Sequence, residues 1–233
     1  MELQKEQSLS LSIIMPCLNE EQSVGYCVDE AKTFLDRCAL DGEIIVVDND
    51  STDNSAEAAL KHGAVVVYEQ SKGYGSAIKA GIRQSRGNVI IIGDCDTSYN
   101  FDRIGLMYAV LASGKCDVVI GNRYEGGFEK GSIQLSHVIG GRILSWCAGK
   151  RFQCDIYDFH CGLRGMTRTS AQILDFQTDG MEFATEMIAA AKKACLDIGE
   201  VPVKLRRCRY KRKSKLRMVK DGMRHLRYIV RAK

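Results

Sequence analysis

The stretch Asn88-Val89-Ile90-Ile91-Ile92-Gly93-Asp94-Cys95-Asp96 decides the reading of this chain. Residues 88–93 form a short β-branched run, apolar from Val89 to Ile92, that stops at two carboxylates one residue apart. A run of that length, apolar on both faces, suits a strand of a parallel sheet covered by helices.

Outward from it the same pattern repeats. Residues 11–15, 43–48, 64–68 and 117–121 read as further buried strands. Between them lie helical patterns at 20–38, 55–62, 74–85 and 101–112; the first places Val24, Cys27, Ala31, Phe34 and Cys38 on one face. This succession predicts an α/β fold, a doubly wound and mostly parallel sheet whose first half is Rossmann-like. Such sheets bind ligands beyond the carboxyl ends of their strands. Those ends carry Pro16-Cys17-Leu18-Asn19-Glu20, Asp48-Asn49-Asp50-Ser51 and Asp94-Cys95-Asp96. The second half is less regular, with helical patterns at 132–149 and 180–195 and an edge strand at 199–205 containing Pro202.

Asp94 and Asp96 could hold a hard divalent ion, Mg²⁺ or Mn²⁺, through carboxylate oxygens. Such an ion would bridge the phosphates of a nucleotide diphosphate and take up leaving-group charge. A solvated loop is the plain alternative. Asp48 and Asp50 suit ribose hydroxyls and base donors, or cap the following helix together with Ser51 or Asp53. Gly73-Tyr74-Gly75 opens a helix, where a phosphate or ribose could approach closely; an ordinary tight turn has the same signature.

Composition narrows the classes. The chain has 233 residues, 45% hydrophobic and 27% charged, enough for one large soluble domain. No 18-residue apolar run occurs, and the polar N-terminus lacks a secretory core. A cytoplasmic location is expected, and the ten cysteines, with no CxxC pair, read as free thiols. Cys154, Asp155, Asp158, His160 and Cys161 match no common zinc spacing. Residues 204–233 hold fourteen Lys and Arg against one acid, Asp221, while the rest holds nineteen basic against twenty-eight acidic residues. We therefore divide the chain into a catalytic domain, 1–203, and a basic segment, 204–233. Within 214–230, Leu216, Val219, Met223, Leu226 and Val230 form an apolar stripe beside a basic one. Such a tail seeks phosphate, on an anionic membrane surface or a nucleic acid. With Tyr210 and Tyr228 its only aromatics, a stacking surface for nucleic acid is not expected. The expected location is thus cytoplasmic, peripheral at the inner face of the membrane; the rival is that the apolar stripe packs on the protein's own body.

Together these motifs resemble the family 2 glycosyltransferases of GT-A fold. The resemblance is carried by Pro16-x-Leu18-Asn19-Glu20-Glu21, the acids from Asp48 to Asp53, the run from Lys72 to Gly81, and Asp94-x-Asp96. The second half looks like the polyprenyl-phosphate (dolichol-phosphate) sugar transferase branch, through Gly121-Asn122-Arg123-Tyr124, the run from Asp158 to Arg164, and the run from Met181 to Met187. The resemblance implies an inverting transfer of a sugar from a UDP- or GDP-sugar to a lipid phosphate. Pro16, Leu18, Glu20, Asp48, Asp50, Lys72, Gly73 and Cys95 would line the nucleotide. Asp94 and Asp96 would hold the metal. Arg123, Arg164 and Lys215 would face the acceptor phosphate or the diphosphate, with Glu182 and Glu186 near the sugar or acceptor. A hydroxyl acceptor would need one of those glutamates as base. Members of this branch often carry a metal-binding Gln where Ser98 stands here, so a water would complete the shell. Two rival readings stand beside this one: transfer to a soluble or protein hydroxyl, and a non-catalytic nucleotide-sugar binding module.

Overall fold

The computed structural model describes residues 9–210 and 218–232. The first half alternates β1 (Leu11–Cys17), α1 (Val24–Arg37), β2 (Gly42–Asp48), α2 (Ser55–Lys61), β3 (Val65–Tyr68), α3 (Tyr74–Gln84) and β4 (Val89–Ile92). A 3₁₀ turn at Phe101–Arg103 leads into α4 (Gly105–Ala112) and β5 (Val118–Asn122), followed by α5 (Arg123–Gly126) and α6 (Leu135–Phe152). The second half continues through β6 (Arg164–Thr167), α7 (Arg168–Ile173), α8 (Phe183–Lys193), β7 (Ile198–Pro202) and α9 (Met218–Arg231).

One sheet of seven strands carries them in the order β3-β2-β1-β4-β6-β5-β7. β3, β2, β1 and β4 run parallel, as do β5 and β7, while β6 is antiparallel to both its neighbours. The side chains of β1, β2, β4 and β5 are buried almost without exception, which is what their uninterrupted apolar runs require. β3 departs from the expectation: it is an edge strand, with Val65 and Tyr68 exposed. β7 is the opposite edge, where Pro202 costs no ladder bond. β6 and the short α7 had no sequence counterpart. A four-residue strand, Arg-Gly-Met-Thr, offers no apolar alternation to read.

The register positions the site. Cys17 pairs with Asp48 across β1 and β2, and Ile14 pairs with Ile92 across β1 and β4. The three polar strand ends therefore lie side by side on one sheet edge. Because β6 runs backwards, with Arg164 opposite both Ile92 and Ile120, the loop that precedes it reaches the same edge.

The described parts of the basic segment, 204–210 and 218–232, contact the body. Arg206 N–H donates to Ser98 O at 2.8 Å, and its guanidinium makes a bidentate pair with Glu30. Arg209 N–H donates to Thr97 Oγ1 at 2.9 Å, and the Arg209 guanidinium lies 3.8 Å from the Tyr26 ring centre. α9 packs on α6 and α8, but not through the described part of the apolar stripe; Leu216 and the Val219 side chain lie outside the described residues. Asp221, His225 and Ile229 turn inward, whereas Met223, Leu226 and Val230 are exposed.

Candidate active site

A cleft of about 220 Å³ opens at the carboxyl edge of the sheet, lined by Asn19, Glu20, Glu21, Ser23, Asp53, Asp96 and Tyr210 among others. Its floor is the turn after β1. Asn19, at φ 51°, receives the Thr52 N–H on its side chain, and its own N–H donates to Ser51 Oγ. Glu20 N–H donates to Ser55 Oγ at 2.7 Å, and Glu21 N–H donates to Asp53 Oδ2 at 3.1 Å. The turns after β1 and β2 are thus laced together. Burial works against the Asp53 charge, but N–H and O–H donors from Ser55 and the Glu21 N–H outweigh it and hold its carboxyl below the usual range.

In the acidic motif, Cys95 is the inward wedge. It is fully buried and its thiol donates to Pro16 O at 3.3 Å. Asp96 is buried at the cleft wall and accepts the Ser98 N–H at 2.8 Å. Thr97, β-branched, sits at φ 67°, a strained conformation of the kind that collects at functional sites. The Asp94 carboxylate lies against Gly162, where a Cβ would stand 2.3 Å from Oδ2. The Tyr74 hydroxyl hydrogen-bonds Asp94; burial first, then that carboxylate's charge, pushes the phenol far up. Tyr99, fully buried, accepts the Gly162 N–H on its hydroxyl at 2.9 Å. Among the described residues no three His, Cys, Asp or Glu side chains gather closely enough to form a closed metal cage. Two carboxylates on one turn, one cradled against a glycine backbone, fit a hard cation that draws its other ligands from phosphate oxygens and water. The zinc-like cluster does not form: Asp158 is paired with Arg123, His160 meets Ser145, and the Cys161 thiol points to the Tyr99 hydroxyl.

The nucleoside side holds Asp48, which is buried. Its Oδ2 takes the Ser51 N–H at 3.3 Å, while Oδ1 has no hydrogen-bond partner. Asn49 staples the 69–73 loop, donating to Glu69 O and Ser71 O and accepting the Gly73 N–H. Asp50 and Lys72 form an exposed ion pair at 2.8 Å. Gly73 adopts φ 148°, and a Cβ there would fall 2.0 Å from Asp179 O. The N–H groups of Gly75 and Ser76 both donate to that carbonyl, so two of the α3 terminal N–H groups are already taken up within the protein. Leu18 is exposed and Pro16 half-buried at the head of the same edge.

The remaining predicted residues divide. Arg123 makes a bidentate pair with Asp158, both bonds 2.7 Å, beside Tyr99. Glu200 orients that carboxylate by accepting the Tyr157 and Asp158 N–H groups. Arg164 does not face an open acceptor site. It is wholly buried, and its guanidinium donates to the carbonyls of Phe159, Cys161 and Ala184. Glu186 is buried too, its carboxylate taken up by the Gln177 N–H and by the N–H and hydroxyl of Thr178. Glu182 stands 3.7 Å from Arg224 of α9, and its Oε2 has no hydrogen-bond partner. Lys215 lies outside the described residues.

The model of the family described as "Glycosyl transferase family 2" matches residues 12–172. The chain belongs to that family. It is 33% identical over 222 residues to the low-salt glycan biosynthesis hexosyltransferase Agl6 of Haloferax volcanii, covering 95% of this chain and 53% of that protein. It is 30% identical to a dolichyl-phosphate beta-glucosyltransferase of Drosophila melanogaster, covering 87% of this chain and 68% of the relative. This family 2 chain thus spans about half the length of the first of these relatives. Its fold is shared with the GT-A enzyme glucosyl-3-phosphoglycerate synthase of Mycobacterium tuberculosis, solved with Mn²⁺, UDP-glucose and phosphoglyceric acid. The TM-score there is 0.74 at 18% identity, covering 95% of this chain and 78% of the other. Mannosyl-3-phosphoglycerate synthase of Rubrobacter xylanophilus gives 0.72 at 24% identity, with 96% and 72% covered. The dolichyl-phosphate relatives agree with the branch read from the second half of the sequence.

Sequence reading named the two aspartates but gave no role to Asn49, Tyr74, Tyr99, Asp158 or Gly162. Each acts by holding another site residue, and a holding role leaves no spacing signature in a single sequence.

Proposed function

We propose that this family 2 enzyme transfers a hexose, with inversion, from a nucleoside diphosphate sugar to a polyprenyl-phosphate lipid. The single observation that supports this reading most is the pair Asp94 and Asp96 on one turn at the sheet edge, beside an acidic cleft, in a chain whose relatives include dolichyl-phosphate sugar transferases. Asp94 and Asp96 would hold Mg²⁺ or Mn²⁺, which when bound supplies positive charge to the leaving diphosphate. Asp48 Oδ1 would accept from the nucleoside, and Pro16, Leu18, Glu20, Asp50, Lys72 and Gly73 would line its surroundings. A UDP-sugar and a GDP-sugar both suit a carboxylate acceptor at that point.

The acceptor phosphate is anionic near neutral pH, so its oxygen attacks the anomeric carbon without a base. Arg123, held rigid by Asp158, would position it, together with Lys215. That Glu186 already accepts from three donors argues against its serving as a base. Arg164 would contribute by fixing the 159–161 loop rather than by touching substrate. Residues 204–233 would serve the acceptor side and hold the chain peripherally on the cytoplasmic face of a membrane.

The test is nucleotide release from UDP- and GDP-sugars with Mg²⁺ or Mn²⁺, with and without polyprenyl phosphate. Release that requires the lipid phosphate and is lost in Asp96→Ala or in EDTA is expected. Full activity in EDTA sinks the metal role, and turnover with hydroxyl acceptors alone sinks the lipid-phosphate reading.

A further inference from the structure

Helix α6, 18 residues and about 27 Å long, faces two ways. Its inner face braces the site. The Tyr124 hydroxyl donates to Val138 O, while Ser145 Oγ meets His160 Nδ1 and accepts the Phe159 N–H. Those residues open the loop that lays Gly162 against Asp94. The outer face carries Leu135, Ile139, Ile143 and Trp146, spaced as one helical stripe and exposed by 73, 53, 57 and 65%. Four large apolar side chains in a row on one helix, left to water, are the kind of patch that marks an interaction surface.

α9 extends it. The two helices pack side by side: the Phe152 and Tyr228 rings stand 6.5 Å apart, and the Arg151 guanidinium donates to Ala232 O. α9 adds its own exposed Met223, Leu226 and Val230. The exposed charge carried by the two helices themselves has one sign. α6 contains no acidic residue, and the only acid of α9, Asp221, is buried. Exposed cations flank the apolar positions on both helices, Arg142, Lys150 and Arg151 on one and Arg224, Arg227 and Arg231 on the other.

We infer that the outer faces of α6 and α9 together seat this chain on an anionic bilayer. α6 lies in the headgroup plane, its apolar stripe reaches the acyl boundary and its cations meet lipid phosphates. A second copy of the chain is the weaker occupant. Pairing this face with itself would bring two sets of cations together with no exposed acid on either helix to neutralise them. The inference deepens the lipid-acceptor reading and rests on it for its purpose. The helix that meets the bilayer is also the one that backs the Asp94 wall, so a lipid phosphate would arrive beside the site without leaving the interface.

The experiment uses a feature of the chain itself: Trp146 is its single tryptophan. Emission of the full chain is followed on adding vesicles of phosphatidylglycerol and phosphatidylcholine, with no sugar donor or acceptor present. A blue shift, quenching by lipids brominated near the top of the acyl chain, and little response to neutral vesicles are expected. The variant carrying Ile139→Asp and Ile143→Asp should bind anionic vesicles at least tenfold more weakly while keeping its melting temperature. On a short-chain, water-soluble prenyl phosphate its turnover should equal that of the parent. Emission indifferent to anionic vesicles overturns the inference. So does a blue shift in buffer that grows with protein concentration and tracks a dimer's mass, which assigns the face to a second copy. Vesicle binding that persists while no prenyl phosphate is ever glycosylated keeps the docking surface and removes the acceptor reading.

Discussion

Gly162 carries no side chain at the point where the Asp94 carboxylate lies: a Cβ there would stand 2.3 Å from Oδ2 and 3.0 Å from Cγ. The contact joins the two halves of the fold. Asp94 ends a parallel strand of the nucleotide half, and Gly162 belongs to the loop that enters the reversed strand β6. The acidic motif is therefore set by its own strand and also by a loop braced from α6 and pinned by the Tyr99 hydroxyl.

Gly162→Ala should displace Asp94, because Tyr99 Cε2, 3.1 Å from the same point, closes the other side. Turnover is expected to fall at least tenfold, with an overpacking cost of about 1–3 kcal/mol in stability. The check is a double-mutant cycle with Asp94→Ala. If Gly162 acts through Asp94, adding Gly162→Ala to Asp94→Ala costs little further activity; additive losses would separate the two residues.

Asp48→Asn keeps the shape of the β2 end and turns a charged acceptor into a neutral amide. Oδ1 is buried without a partner, so it is poised to receive a donor from a ligand. Losing a hydrogen bond to a charged group costs about 1.5–3 kcal/mol, or roughly 10–150-fold in affinity. Calorimetry with UDP and GDP should show that loss for the nucleotide the enzyme prefers. Equal affinity for parent and variant would confine Asp48 to the Ser51 turn.

The nucleotide half was legible because its physics is local. Uninterrupted apolar runs force buried parallel strands, and a parallel sheet sends all its strand ends to one edge, so 16–20, 48–51 and 94–96 converge without further information. The second half was less legible because its residues take their roles from partners far away in sequence. Arg164 looked like a cation for an acceptor, but the carbonyls it serves lie on a loop and on α8, and nothing in a linear pattern announces that burial. In α9 the apolar stripe suggested a membrane-facing surface, with packing on the protein's own body as its rival. The inward face pairs His225 with Thr185 and tucks Asp221 inside, leaving Met223 and Val230 in the open, and no linear pattern showed which face would turn in. The α6 stripe escaped notice because its 132–149 pattern was read only as helical.

Arg164→Met removes a buried guanidinium that satisfies three carbonyls. Those acceptors would be stranded in a dry interior, and stability should drop by about 1–3 kcal/mol for each buried carbonyl left unsatisfied. Urea unfolding followed by circular dichroism measures it. A loss below 1 kcal/mol, with turnover nonetheless abolished, would return Arg164 to the substrate.

The His160 and His225 rings meet edge to face at 4.5 Å inside the junction of α6, α8 and α9. Ser145 partners His160 on one side, and Thr185 partners His225 on the other. Burial lowers the affinity of both for protons. For His160 the His225 ring, Arg123 and Arg164 add to the effect; for His225 the Asp221 charge opposes it and Arg164 reinforces it. His225 is pushed down to about 4, whereas an unfolded histidine titrates near 6.5. Between those values the unfolded chain binds the proton and the folded chain does not, so stability rises with pH. The contribution is complete above about pH 6.5, falls by about 1.4 kcal/mol per pH unit for each imidazole as acid is added, and levels off near the folded value. Urea midpoints from pH 7 to 4.5 should therefore slope more steeply for the parent than for His225→Gln, the difference amounting to one proton. Parallel slopes would mean that His225 accepts its proton in the folded protein, and the packing of α9 would then have to withstand a charge at its centre.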